Sequence, residues 1–180
     1  MKSRLPLPLP EAMTSEQRAI QESILATRGS LDGPFFAWMH SPGLANAAEK
    51  LGAFCRYGSS LPLRESELLI LLVAAHHRCI GEQQIHEPIA RKSGWSADVV
   101  AAIREQRTLP TLDSPRADAL AALARELLQT HRIGAACYEQ ALSLLGAAAL
   151  VETVGVIGYY ALVAHTLNAF EMTQNNGDTP

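Results

Sequence analysis

The 180-residue sequence is poor in aromatic residues and cysteines, and it has no strong charge of either sign. Its three cysteines, Cys55, Cys79 and Cys137, are widely spaced without a CxxC motif, so neither a disulfide framework nor a thiolate zinc site is expected. A net charge of −3 provides no electrostatic footprint for nucleic acid or for an acidic membrane surface. The composition therefore predicts neither partner.

Long hydrophobic runs are also missing. No segment reaches about 18 uninterrupted apolar residues, the length that suits a membrane-spanning helix. Residues 1–13 alternate leucine with proline, which predicts an extended arm and interrupts the apolar core that a signal peptide requires. A soluble protein in a reducing, cytoplasmic setting is the resulting expectation.

Strand patterns are absent from the sequence as well. Apolar residues make up 48% of the chain, and alanine and leucine dominate over β-branched residues, which favours packed helices. Capping residues and glycines predict an all-α, single-domain fold without a linker long enough to divide it. The predicted helices cover residues 16–28, 42–57, 62–77, 79–92, 96–105, 114–130, 134–145 and 150–170.

The predicted final helix, residues 150–170, is apolar nearly all round and carries Gly155 and Gly158. A helix with this pattern is either central in its fold or buried against another subunit. One chain of this size has little core in which to hide it completely. We therefore expect a homo-oligomer whose final helix lies at or near a subunit contact.

Ionisable side chains follow the most apolar segment of the chain. After the run 68–75 come His76, His77, Cys79, Glu82 and His86. Such groups are costly to desolvate, so their position after a core helix favours a functional site. On a helix that begins near Cys79, the offsets i, i+3 and i+7 place Cys79, Glu82 and His86 within about 60° of one stripe.

Glu67 lies on the preceding helix, on an otherwise apolar row. A carboxylate in such a row is expected to have a raised pKa, which suits it to proton transfer. We predict that Glu67, Cys79, Glu82 and His86 line one partly enclosed pocket.

Two other interpretations of these residues remain open. Glu82 and His86 form a solvated i, i+4 pair beside a core Cys79 if the stripe faces solvent. A metal site built from His76, His77, Glu82 and His86 is less favoured, because neighbouring histidines on a helix point about 100° apart. No metal is therefore predicted.

Over residues 33–170 the sequence resembles the carboxymuconolactone decarboxylase and alkylhydroperoxidase-D-like family. The resemblance lies in the segments GPFFAWMHSPGLANAAEKLGAFCRYGSSLP, ESELLILLVAAHHRC, EQQIHEPIARKSGWS and VGVIGYYALVAHTLNAF. It implies a helical bundle of the alkylhydroperoxidase-D-like type, assembled as a dimer, trimer or hexamer. Outside this domain, residues 1–32 are predicted to form an arm and a first helix, and residues 171–180 a frayed polar tail.

The redox branch of this family has a glutamate, then after eleven residues a Cys-x-x-Cys motif, and a histidine four residues beyond it. Here Glu67, Cys79 and His86 occupy the glutamate, first-cysteine and histidine positions. Glu82 replaces the second cysteine, and Gly81 stands where a histidine or tyrosine is usual. Without the second cysteine, the dithiol peroxidase cycle cannot run on Cys79 as it does in that branch.

The resemblance implies two kinds of enzyme. The decarboxylase branch implies proton transfer and loss of a carboxylate from a small organic acid or lactone, with His86 and Glu67 as acid and base and with Glu82 orienting His86. The redox branch implies antioxidant, peroxiredoxin-type activity at Cys79. Neither branch implies a metal or an organic cofactor. A non-catalytic oligomeric module is the third alternative, since a fold does not imply an activity.

An acidic substrate would require a cation to bind its carboxylate. Arg64, Arg78 and Arg91 are the candidates near the site, and the sequence does not select among them.

The protonation state of Cys79 distinguishes the two kinds of enzyme. Helix N-terminal amides and His86 are expected to lower the pKa of Cys79, whereas Glu67 and Glu82, if ionised, raise it. A helix dipole at an exposed site is worth only about 0.3–1 kcal/mol. We therefore predict a mostly neutral thiol at pH 7, which favours acid–base chemistry.

Overall fold

The computed structural model describes residues 1–174, except for the side chain of Arg28. Within this range the chain forms eight α-helices and no β-strand, which confirms the predicted all-α fold. A 3₁₀ turn, Pro10–Ala12, precedes them, and a π-helical segment, Phe54–Gly58, follows the third. The helices are α1 Ser15–Arg28, α2 Phe35–Trp38, α3 Pro42–Ala53, α4 Leu63–His76, α5 Ile80–Lys92, α6 Ala97–Arg104, α7 Pro115–Thr130 and α8 Ala135–Ala169.

Local capping interactions set several helix ends close to the predicted positions. At the start of α1, the hydroxyl of Thr14 accepts from the N–H of Gln17 at 3.2 Å, and the side-chain oxygen of Gln17 accepts from the N–H of Thr14 at 2.8 Å. Gly29 ends α1 with a left-handed φ of 75°. Ser96 and Ser114 accept from backbone N–H groups at the starts of α6 and α7. These signals depend on neighbouring residues alone, so the sequence locates them.

The helix predicted for residues 42–57 ends earlier, because α3 stops at Ala53 and the chain continues as the π-helical segment. The N–H of Ser59 donates to the carbonyl of Phe54 at 2.9 Å, which closes an i to i+5 turn. A π turn rotates the side chains that follow it relative to an α-helix. Cys55 is buried in the core of the fold, while Arg56 borders a cavity.

Helix α4 lies at the centre of the bundle. Every residue from Ser66 to Ala75 is buried, and the helix packs against α5, α6, α7 and α8. A helix that is apolar all round removes surface from water on every face and so contributes strongly to the core. Glu67 is the one ionisable residue in this buried run, so it needs a polar partner on a neighbouring helix.

The helices predicted for residues 134–145 and 150–170 form a single bent element, α8. The bend lies at Gly146, whose φ of 77° and ψ of 165° are not helical. One side of α8 packs against α4 and α7. Its length and apolar composition would allow it to cross a membrane, but the core helix of a soluble protein passes the same test.

The other side of α8 leaves apolar residues uncovered. Val151 is 72% exposed, and Val154 and Leu162 are exposed along the same helix. A Cβ added at Gly155 or Gly158 would meet no other atom within 4 Å. Burial of this surface in a subunit contact stays a prediction.

The two ends of the chain pack against each other. The N–H of Lys2 donates to the carbonyl of Thr173 at 3.0 Å, and the N–H of Arg4 donates to the carbonyl of Phe170 at 2.8 Å. Met172 is buried in the core. Residues 170–174, here called the C-terminal strap, therefore differ from the predicted frayed tail, of which residues 175–180 lie outside the described part of the chain.

Gly81 on α5 allows the strap to approach the bundle. A Cβ at this position would overlap the carbonyl oxygen of Met172 and lie 3.3 Å from a side-chain carbon of Leu167. The strap is held there by the N–H of Met172, which donates to the carbonyl of Leu167 at 2.8 Å, and by the N–H of Gln174, which donates to the side-chain oxygen of Gln84 at 2.9 Å. The histidine or tyrosine that the family resemblance places at this position would collide with the strap.

We expect Gly81→Ala to displace the C-terminal strap, because the new Cβ meets a backbone oxygen rather than the end of a flexible side chain. Overpacking of this kind costs about 1–3 kcal/mol in the free energy of unfolding. Hydrogen exchange should show lost protection of the Met172 and Gln174 amides. Gly43→Ala on α3 is the matched control, since nothing lies within 4 Å of its added Cβ. Unchanged protection in Gly81→Ala would contradict this role of Gly81.

Candidate active site

Three buried ionisable side chains meet between α4 and α5. The Nδ1 atom of His86 on α5 lies 2.9 Å from Oε2 of Glu67 on α4, and its Nε2 atom lies 3.5 Å from Oε2 of Glu82, one turn earlier on α5. All three residues are at most 3% exposed. We call Glu67, His86 and Glu82 the Glu–His–Glu relay. The solvated Glu82–His86 pair considered from the sequence does not occur.

The hydrogen bond to Glu67 defines the tautomer of a neutral His86. The Nδ1–H group donates to the carboxylate of Glu67, which leaves the lone pair of Nε2 on the side of Glu82. At 3.5 Å, Oε2 of Glu82 is in contact with Nε2 but has no hydrogen-bond partner among the described residues. The relay therefore ends in a buried carboxyl oxygen that a ligand is able to engage.

Burial raises the pKa of Glu82, and this is the largest influence on the group. The charge of Glu67 raises the pKa further, whereas His86 and Arg56 act in the opposite direction. Desolvation disfavours the carboxylate form, so Glu82 holds its proton to a higher pH than an ordinary glutamate. The raised pKa of Glu82 and the lone pair of His86 thus bring into direct contact two groups suited to acid–base chemistry.

A cavity of about 200 Å³ lies against the exposed end of the relay. Glu82 and His86 line it, whereas Glu67 lies behind His86 and does not. The side chains of α8 complete the wall, and the rings of Tyr160 and His86 pack in a T-shaped arrangement with centroids 5.5 Å apart. The apolar segment around Phe35 suits either the core or a pocket wall, and the rest of this wall carries no signal in the sequence. The wall includes Phe35, Arg56, Tyr57, Tyr159, Tyr160 and Gln174.

Cys79 does not line the cavity, contrary to the prediction of one shared pocket. It is the N-cap of α5 rather than a residue of its first turn, and it is fully buried. Burial raises the pKa of the Cys79 thiol to about 11; the charge of Glu82 adds to this effect, while the N–H groups of Glu82 and Gly81 oppose it. The predicted neutral thiol agrees with this direction, but burial rather than a pair of carboxylates is the main cause.

The remaining cysteines and histidines contribute nothing further to this site. Cys55 and Cys137 are free thiols. His77 contacts the rings of His76 and His165 edge to face, at centroid distances of 4.9 and 4.6 Å. Among the described residues, no group of three or more His, Cys, Asp or Glu side chains is arranged to hold a metal ion.

None of the three arginines suggested by the sequence lines the cavity. Arg64 packs over the ring of Trp95 and pairs with Asp113. Arg91 pairs with Glu87 along α5, and Arg78 is exposed. Arg56, on the π-helical segment, borders the cavity instead. The sequence did not single out Arg56, because the direction of its side chain depends on a π turn that the sequence did not predict.

Comparison with known families agrees with the resemblance seen in the sequence. The profile of the carboxymuconolactone decarboxylase family matches residues 42–126. This segment spans α3, the π-helical segment, α4, α5 and α6, together with most of α7, and so includes the whole relay. Over this segment the chain is similar to members of the carboxymuconolactone decarboxylase family. No curated protein matches the sequence significantly.

Solved structures share the fold at low sequence identity. An uncharacterized peroxidase-related protein with an alkylhydroperoxidase AhpD core from Ralstonia eutropha JMP134 has a TM-score of 0.76 and 18% identity, covering 97% of this chain and 93% of that one. A peroxidase-related protein from Silicibacter sp. TM1040 has a TM-score of 0.77 and 19% identity, covering 96% and 90%. The debrominase Bmp8 has a TM-score of 0.73 and 15% identity, covering 95% and 92%. These likenesses show an alkylhydroperoxidase-D-like helical fold.

The raised pKa of Glu82 predicts a pH-dependent effect of Glu82→Gln on stability. Above about pH 4.3, where glutamate ionises in an unfolded chain, the native state keeps a proton that the unfolded state loses. The wild type should therefore lose stability relative to Glu82→Gln as pH rises, by up to about 1.4 kcal/mol per pH unit, until native Glu82 ionises.

Urea unfolding at a series of pH values measures this difference. Glu139→Gln on the exposed side of α8 is the control and should give a difference that does not grow with pH. A constant difference for Glu82→Gln across the same range would contradict a raised pKa for Glu82.

Proposed function

We propose that this protein catalyses proton transfer on a small organic acid or lactone, as in decarboxylation or a related isomerisation. The observation that carries the proposal is the contact between a desolvated Glu82 and the lone pair of His86 at the wall of a small cavity. An acid and a base that meet at one substrate site are the groups that such a reaction requires.

Each of the three residues of the relay has a different role in the proposed reaction. Glu67 accepts the Nδ1–H of His86 and so holds the ring with Nε2 toward the cavity. Glu82, which reaches the cavity, is the proton donor, and His86 is the base. This assignment differs from the sequence expectation, in which Glu67 took part in proton transfer and Glu82 oriented His86. It rests on the position of Glu67 behind the imidazole.

A decarboxylation in this cavity would proceed in two linked events. The bond between carbon and the departing carboxylate breaks, carbon dioxide leaves, and the electron pair stays on the substrate carbon. That carbon then takes the proton of Glu82, whose carboxylate recovers a proton from solvent. In an isomerisation, His86 removes a proton from one carbon and Glu82 supplies a proton to another. Burial of the relay favours both reactions because water does not compete for the transferred proton.

A thiol-based activity at Cys79 is the second candidate. Two of the similar structures are of peroxidase-related proteins and a third is of a debrominase, which supports this candidate. The burial of Cys79, its pKa of about 11 and the glutamate in place of a second cysteine all weigh against it. We therefore place Cys79 in a structural role at the start of α5.

Substitutions in the relay should affect turnover far more than substitution of Cys79. We expect His86→Gln and Glu82→Gln to lower the rate by roughly 10²–10⁴-fold, the usual contribution of general acid–base groups, and Cys79→Ala to leave most of the rate. The assay is a screen of 3-oxo acids and unsaturated lactone acids in heavy water, with deuterium incorporation and carbon dioxide release followed by NMR.

Two results of this assay would contradict the proposal. Loss of turnover in Cys79→Ala, or reduction of an organic hydroperoxide that depends on Cys79, would favour the thiol enzyme. Neither deuterium incorporation nor product from any acid in the screen would favour a non-catalytic module.

We also propose that the protein is a homo-oligomer, a dimer, trimer or hexamer, in a cytoplasmic setting. The exposed apolar side of α8 around Val151 supports the assembly, because a surface of this kind is usually covered. Light scattering should give a mass well above that of one 19.4 kDa chain, and Val151→Glu should reduce it. A stable monomer at micromolar wild-type concentration would contradict this assembly.

A further inference from the structure

Arg56 is a cation at the cavity wall with no carboxylate partner of its own. It is half-buried, and it is the only lysine or arginine among the described residues that line the cavity. Within the described part of the chain its guanidinium forms no ion pair, and its Cζ atom lies 5.7 Å from the centroid of the Tyr57 ring. A half-buried arginine without an anion leaves strong hydrogen-bond donors available to a ligand.

The π-helical segment and the relay determine where this cation lies. Arg56 is carried toward the cavity by the π turn that Ser59 closes, a feature often found at functional sites. Its charge lowers the pKa of Glu82 and of Tyr160, against the upward effect of burial on both. Arg56 thus lies close enough to influence the acid without pairing with it.

We propose that Arg56 binds a carboxylate of the substrate that remains intact through the reaction. The inference rests on the proposed proton transfer, and it adds that the substrate carries an anionic group separated from the reacting carbon. The guanidinium holds that carboxylate in a bidentate pair, and the remainder of the molecule extends to Glu82 and His86. Asp32, exposed at the same cavity, repels an anion and so favours the orientation with the carboxylate at Arg56.

These features define the substrate class. A cavity of about 200 Å³ restricts it to a small molecule. A dicarboxylate, an oxo acid or a lactone acid has an anionic end for Arg56 and a second functional group for the relay. A neutral lactone or an ester has no anionic group to pair with the guanidinium, so its affinity should depend little on Arg56.

A binding experiment tests this role separately from catalysis. Glutarate is titrated into the wild-type protein, and its binding is followed by NMR shifts of groups at the cavity, with the neutral dimethyl glutarate as the matched ligand. We expect Arg56→Gln to weaken glutarate binding by about tenfold, Arg56→Lys to restore part of it, and dimethyl glutarate to bind both proteins alike. Arg78→Gln, which alters an exposed arginine outside the cavity lining, is the control and should bind glutarate as the wild type does.

Three other outcomes would overturn the proposal. Glutarate that binds Arg56→Gln as tightly as the wild type, or that shifts no group at the cavity, would show that Arg56 is not the carboxylate site. An equal loss of affinity for dimethyl glutarate would show that Arg56 only shapes the cavity. Turnover that survives in His86→Gln while glutarate binding still depends on Arg56 would remove the proton-transfer function and leave the carboxylate site, so the two failures are distinguishable.

Discussion

The cost of removing Glu67, His86 and Glu82 from water constrains the whole site. Glu67 lies in the buried run of α4, where an unpaired carboxylate would be strongly destabilising. The hydrogen bond from His86 offsets that cost and fixes how α5 packs against α4. Because the Nδ1–H group of His86 donates to Glu67, it is not available to Glu82. The Glu82 carboxyl group is therefore buried beside the cavity, and its Oε2 atom has no hydrogen-bond partner among the described residues. A requirement of folding thus produces a carboxylic acid with a raised pKa at a ligand site.

Much of this arrangement could be predicted from the sequence because it depends on short-range geometry. Glu82 and His86 lie one helical turn apart, so any helix through them places both on one face. The helix ends at Thr14, Gly29 and Ser114 follow from local caps. Glu67 and His86 lie on different helices, so periodicity alone does not show that they meet. The family resemblance indicated that both belong to one site.

The remainder depends on contacts between distant segments. The residue spacing does not reveal that α5 begins at Ile80, one residue after Cys79. Cys79 is therefore a buried N-cap and not the catalytic thiol that the sequence suggested. One extra residue in the turn after α3 directs Arg56 to the cavity, although three other arginines are nearer to the relay in the sequence. The C-terminal strap, which brings Gln174 to the cavity, depends on the missing side chain of Gly81. Each of these is a tertiary outcome that overrides a local pattern.

The protonation state of Glu82 tests the account most directly. An infrared difference spectrum between wild type and Glu82→Gln, recorded at pH 7 with isotopically labelled glutamate, reports whether the side chain is a carboxylic acid or a carboxylate. We predict a carbonyl band of a protonated, weakly hydrogen-bonded acid that is absent from Glu82→Gln. A carboxylate band in its place would mean that Glu82 is ionised at rest, and the proposed proton donor would not exist.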